Sequence, residues 1–248
     1  MSPEDAKCNR DNRGFQGVSA RIEWIFADGI DRLMQPTKDA AATRVLVVDL
    51  DDPRTAVLQR LAPLPSDLAD EARPGAADRR YFRARRAALR SLVAWHGGVA
   101  AETVEIAYDT AGAPRVRSIP SPFISVSARG SRALLAVSSA PVGVDFEPDT
   151  SAEPILDVLH PHERAALAAL DGPARDRHFL EIWTAKEAYL KALGDGLTRN
   201  PSQIAISLTA TGVTISDTDT PVALAGGDLR HLDLNGVAVV ASCIVRGN

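Results

Sequence analysis

Apolar positions along this chain follow two periods, and the switch between them outlines the secondary structure. The run Arg44-Val-Leu-Val-Val-Asp-Leu-Asp51 reads as a buried strand ending in acids. From about Ala77 to His96, Phe82, Leu89, Leu92 and Val93 recur at helical spacing within an arginine-rich stretch, which predicts a long basic helix. Strands are expected at Val104 to Tyr108, Ile124 to Ser127 and Ala133 to Ser138, with a turn at Asp109 to Pro114. The same order then recurs. Val142 to Glu147 reads as a strand ending in acids, short helices run through His160 to Leu170, and a long helix spans about Ala174 to Leu193. Strands follow at Ile204 to Leu208, Gly212 to Ser216 and Val237 to Val245.

The repetition predicts an α+β fold of two similar halves related by a pseudo-two-fold axis. Each half is expected to be an antiparallel sheet packed against a long helix, with an active site at their interface. The expected divisions are 43–140 for the first half and 141–248 for the second, with the boundary near Ser139 to Pro141. Residues 1–42 carry no sustained period and are expected to be a poorly ordered extension, although Ile22, Trp24, Ile25 and Phe26 suit a short docked amphipathic piece.

Composition narrows the function. With 248 residues, 45% of them hydrophobic, the chain can bury an ample core. Cys8 and Cys243 form no spacing pattern, which argues against a disulfide scaffold or a zinc site. The start is polar and mixed in charge, and the apolar run at 236–245 is too short to span a bilayer, so a cytoplasmic protein without a membrane role is expected. The net charge of −4 disfavours nucleic acid held by general phosphate attraction. Of 28 basic residues only Lys7, Lys38, Lys186 and Lys191 are lysines. Two of them, five apart in one helix, suit a compact charge on a phosphate oxygen or a proton relay, which the broad fork of arginine does not replace.

Two segments carry candidate chemistry. In a strand from Val142 to Glu147, Val142, Val144 and Phe146 point one way, and Gly143, Asp145 and Glu147 the other. Like charges at that spacing repel, so the pattern fits either a hard divalent cation or a solvent-facing edge. In the second long helix, Phe179, Ile182, Trp183, Leu190 and Leu193 form an apolar stripe that Gly194 ends, and Glu187 stands one turn from Lys191. Taken alone, that spacing is an ordinary surface ion pair.

The two segments together, Gly143-Val-Asp-Phe-Glu147 and, about forty residues on, Trp183-Thr-Ala-Lys-Glu-Ala-Tyr-Leu-Lys191, resemble the paired signature of the 4′-phosphopantetheinyl transferases. The likeness is to their larger single-chain branch built from two similar halves, and it extends more loosely from Arg44 to the C-terminus. The resemblance implies transfer of the phosphopantetheine arm of coenzyme A to a serine of an acyl or peptidyl carrier protein, with release of 3′,5′-ADP. It implies that Asp145, Glu147 and Glu187 bind Mg²⁺ with the coenzyme A diphosphate, and that Lys186 and Lys191 neutralise that diphosphate. Glu187 is the implied acceptor of the serine proton, and Lys191 the implied catalytic ammonium. A monomer is expected, because both halves lie in one chain.

The segment Ile124 to Gly130 aligns with the family's phosphate-contacting turn and departs from it. Ser127 and Gly130 match, whereas Ala128 replaces a histidine and Arg129 a serine; Ala113 replaces a lysine of a second turn. Ser127, Arg129, Arg115 and the arginines from Arg79 to Arg90, with Arg86 favoured, are the candidates to grip the nucleotide instead. The losses also keep open a non-catalytic relative that binds carrier protein or coenzyme A without transfer.

Overall fold

The computed structural model describes residues 21–34, 42–72, 79–110, 112–117, 122–150, 153–194, 199–209, 212–219 and 224–247. Eleven strands and four α-helices are assigned among them. In the first half, β1 (Ile22–Ile25), β2 (Thr43–Asp49), β6 (Arg132–Ser138) and β5 (Phe123–Arg129) form a sheet in the order β1-β2-β6-β5. Helix α1 (Pro65–Glu71), helix α2 (Arg79–Gly97) and the hairpin of β3 (Ile106–Tyr108) and β4 (Pro114–Val116) lie between β2 and β5 in the chain. In the second half, β7 (Val142–Pro148), β11 (Ala238–Arg246) and β10 (Leu224–Asp233) form a sheet in the order β10-β11-β7. Helices α3 (Pro161–Ala168) and α4 (Gly172–Leu193) and the hairpin of β8 (Ile204–Thr209) and β9 (Gly212–Asp217) complete it.

Strand periodicity explains how these pieces stack. In β2, Leu46 and Val48 join a cluster with Ala88, Leu89, Leu92 and Val93 of α2. Val45 and Val47 point the other way and join Leu134, Val144, Phe146, Ala241 and Cys243, a cluster drawn from both sheets. In β11, Val240 and Ile244 pack on Ala185, Ala188 and Tyr189 of α4. The order of layers is therefore α2, first sheet, second sheet, α4. Strands covered on both faces need apolar side chains at nearly every position, which is why β2 and β11 read as continuous apolar runs rather than alternating ones.

The elements expected at 44–51, 77–96, 124–138, 142–147, 174–193 and 237–245 are all present, with ends shifted by a few residues. Four of the strands and α-helices were not expected: α1, β4, β10 and β1. Residues 22–25, placed in the extension at 1–42, form a strand parallel to β2 from Ile22 beside Thr43 to Ile25 beside Leu46. Pairing with β2 satisfies their backbone, and Trp24 Nε1 donates to Asp228 Oδ2 at 2.8 Å, so this segment is part of the fold; the first sheet accordingly contains one parallel pair. Residues 1–20 and 35–41 of the expected extension lie outside the described residues. No described helix is long and apolar enough to cross a membrane.

Candidate active site

Strand β7 and helix α4 touch backbone to backbone. Gly143 lies against α4, and a Cβ there would sit 1.8 Å from the Ala188 carbonyl oxygen. Gly143 thus lets the helix settle on the strand. Asp145 and Glu147, two and four residues on, share its face and look toward the last turns of α4. There Lys191 Nζ bonds Asp145 Oδ1 at 2.7 Å and the Val144 carbonyl at 3.1 Å. The ordinary Glu187–Lys191 pair that the spacing alone suggested gives way to this bond between helix and strand.

The first half reaches the same carboxylates through alternate side chains of β5. Ser125 Oγ accepts from the Val144 N–H at 3.1 Å, Ser127 Oγ donates to Asp145 Oδ1 at 2.8 Å, and the Arg129 guanidinium pairs with Glu147. Two oxygens, Asp145 Oδ2 and Glu187 Oε1, are buried with no hydrogen-bond partner. Burial pushes the Glu187 carboxyl above its ordinary value, and the charges of Asp145 and Glu147 add to the push while Lys191 opposes it. Burial also raises Glu147, against the pull of Arg129. These couplings place the three acids in one neighbourhood.

Their chemistry fits a hard divalent cation, which prefers carboxylate oxygens and shares itself with substrate phosphates. Buried, unpartnered oxygens are costly unless something binds them, and two of the three acids each offer one. Among the described residues, however, no group of three or more His, Cys, Asp or Glu side chains is arranged to hold a metal ion as it stands. Lys191 occupies Asp145 Oδ1, and Arg129 occupies one oxygen of Glu147.

A sequence profile of the 4′-phosphopantetheinyl transferase superfamily matches residues 141–233. The chain is 32% identical over 174 residues to the 4′-phosphopantetheinyl transferase HetI of Nostoc sp., covering 66% of this chain and 73% of HetI. The chain belongs to this superfamily. It is also 31% identical over 134 residues to a provisionally named 4′-phosphopantetheinyl transferase of Synechocystis sp., and there it spans about half of the relative, 54%, and 51% of itself. Among solved structures it is similar to a holo-(acyl-carrier-protein) synthase from Bacillus anthracis in complex with CoA, with a TM-score of 0.36 and 21% identity over 44% of this chain and 97% of that one.

Within this superfamily member, several residues expected at the site lie elsewhere. Lys186, expected to neutralise a diphosphate, has no exposed surface; its ammonium donates to the carbonyls of Val158, Pro201 and Ile204 at 2.7 to 2.9 Å and pairs with Glu163 at 2.7 Å. Burial lowers its pKa despite Glu163, and its donors are consumed in tying α4 to α3 and β8. Arg86, expected to grip the nucleotide, is buried too. It donates to Asp70 Oδ2 at 2.7 Å and to the Ile106 carbonyl at 3.0 Å, between the rings of Phe82 and Tyr108. Arg90 binds Asp67 at 2.9 Å, and Arg83 binds Glu71 at 2.8 Å.

The transferase-like basic helix is therefore largely neutralised by α1. Arginines 83, 86 and 90 form one stripe facing Asp67, Asp70 and Glu71, and the matching helical spacing of the two sets was a signal that sequence reading missed. Arg115 is exposed, pairs with Asp109 at 2.8 Å, and lies 3.6 Å from where a Cβ of Gly194 would stand, at the end of α4. Arg85, one of the candidates from Arg79 to Arg90, lies nearer the site than Arg86 does. It donates to the Gly130 carbonyl at 3.3 Å, beside Arg129. The structure thus gathers Asp145, Glu147, Glu187, Lys191, Ser127 and Arg129, and separates Lys186 and Arg86 from them.

Proposed function

We propose that this chain is a Mg²⁺-dependent 4′-phosphopantetheinyl transferase that moves the arm of coenzyme A onto a serine hydroxyl of an acyl or peptidyl carrier protein and releases 3′,5′-ADP. One observation carries the reading. Asp145 on β7 and Glu187 on α4 each present a buried, unpartnered oxygen in the neighbourhood of the Lys191 ammonium. Superfamily membership supports the reaction class. The participation of Ser127 and Arg129 supports a site at the junction of two related halves, each a sheet with a long helix on its outer face. The reading takes the protein to be cytoplasmic and monomeric.

Asp145, Glu147 and Glu187 would hold the metal. When bound, it supplies positive charge for the diphosphate and alignment of the transferred group. Ser127 and Lys191 fix the Asp145 carboxylate, and Lys191 is placed to neutralise a phosphate oxygen arriving beside it. The serine oxygen bonds the β-phosphorus as the bond to the oxygen bridging to the α-phosphate breaks; the serine proton passes to Glu187, and the electron pair leaves with 3′,5′-ADP.

Incubating pure protein with Mg²⁺, coenzyme A and a panel of apo-carriers tests this by intact mass. A phosphopantetheine increment on a carrier, lost in Asp145→Ala and in Glu187→Gln, is the expected result; full transfer by either variant overturns the metal assignment. Ala128 and the sequestered Lys186 favour a second reading, a relative that binds carrier protein or coenzyme A without transfer. That reading predicts a complex with a carrier or with coenzyme A and no mass change.

A further inference from the structure

Lys191 and Arg129 both neutralise the acids, but they are held differently. Lys191 has two bonds to β7, one of them to the Val144 backbone carbonyl, and its side chain is 28% exposed. Arg129 sits at the end of β5, next to the Gly130 turn, is 55% exposed, and rests on Glu147, which is 16% exposed. A guanidinium more than half in water gains little from one carboxylate and swings free at small cost. Glu147, in contrast, still faces the like charge of Asp145 and loses its paired guanidinium when Arg129 leaves. A doubly charged ion competes well for such an oxygen, especially where Asp145 Oδ2 and Glu187 Oε1 are already unpartnered.

We propose that Arg129 is an exchangeable placeholder: it covers Glu147 until a divalent ion takes that carboxylate, and then turns to the phosphates of the incoming nucleotide. Arg129 is thus a positioning residue that couples metal and nucleotide binding, an inference that rests on the metal reading above. Metal occupancy frees a guanidinium within one side chain's length of the metal carboxylates. Reciprocally, an anion that attracts Arg129 uncovers Glu147, so each ligand tightens the other by the same factor. Arg85, bonded to the carbonyl of the same turn, adds charge beside the position Arg129 would take.

The test is binding of Mn²⁺, as a probe for Mg²⁺, to the purified full chain by electron paramagnetic resonance, with and without coenzyme A. Without coenzyme A, Arg129→Ala should bind Mn²⁺ about two- to fivefold tighter than wild type, the range an exposed ion pair accounts for. Coenzyme A should tighten Mn²⁺ in wild type by a larger factor than in the variant. Unchanged or weaker Mn²⁺ affinity in Arg129→Ala without coenzyme A, or an equal gain from coenzyme A in both proteins, overturns the placeholder role. Asp145→Ala separates the two claims. If wild type binds no Mn²⁺, or Asp145→Ala binds it as wild type does, the metal reading itself falls; if Asp145→Ala abolishes binding while Arg129→Ala changes nothing, only the placeholder falls.

Discussion

The Ser127 hydroxyl donates to Asp145 Oδ1 at 2.8 Å across 18 residues of chain and between strands of different sheets. Ser125, on the same face of β5, crosses to β7 as an acceptor, its hydroxyl oxygen taking the Val144 N–H at 3.1 Å. The outer edge of β7 is therefore met by side chains rather than by another strand's ladder, which leaves Asp145 and Glu147 open toward α4.

Removing the Ser127 hydroxyl should damage function more than stability. Ser127→Ala leaves Asp145 Oδ1 to Lys191 alone and frees the carboxylate to rotate. With Asp145 holding a metal as proposed, transfer to a carrier, followed by intact mass, should slow about 10- to 100-fold, the range for outer partners of metal ligands. Urea unfolding should show a loss of only about 1 kcal/mol. Equal losses on both measures would mean that the serine serves the core.

Gly143 tolerates no side chain. A methyl group there would collide with the Ala188 carbonyl at 1.8 Å and the Ala192 nitrogen at 2.7 Å, both backbone atoms that cannot step aside. Gly143→Ala should cost about 3 kcal/mol in urea unfolding and lift α4 from β7, separating Lys191 from Asp145. Wild-type stability in that variant would contradict the close approach.

Lys186 is a stability residue. Lys186→Met takes the ammonium away from the buried Glu163 carboxylate and from the carbonyls of Val158, Pro201 and Ile204, with an expected loss of about 3 to 5 kcal/mol. Adding Glu163→Gln should recover part of this loss. Coenzyme A affinity of the folded fraction should be unchanged, as read by calorimetry. A specific loss of that affinity would return the ammonium to the site.

Glu181 ties the early turns of α4 to β10, bonded by His178 at 3.2 Å and His231 at 2.9 Å. Burial raises its pKa, but the two histidine bonds outweigh burial and hold it below the ordinary 4.5. A depressed carboxyl pKa stabilises the fold fully above the unfolded value and loses that contribution as pH falls through the folded one. Wild type should therefore exceed Glu181→Gln in stability by about 1 kcal/mol at most near neutrality, with the gap closing below about pH 4.5. A gap that widens on acidification would refute the sign.

Much of the fold was legible because its strands and helices carry strong local periods. The run at Val45 to Val48 and the stripe from Phe179 to Leu193 bury so many side chains that no other element suits them. Segment 22–25 was not legible: four residues hold no period, and their strand exists only because β2 offers a parallel edge. Helix α1 was missed because its surface is acidic, and it is fastened by arginines of another helix.

The family resemblance implied that β7 works with the helix of Lys186, Glu187 and Lys191, while from the residues alone came the order of elements and the acid-bearing face of β7. Those features depend on neighbours a few residues apart, which covalent geometry spaces. Only the tertiary structure decided which charges serve the site. Lys186 and Arg86 look as available in the sequence as Lys191 and Arg129, yet burial beside Glu163 and Asp70 consumes the first two. A charge's role depends on what surrounds it in space, and partners such as Glu163, Asp70 and Ser127 reach it through the folded chain.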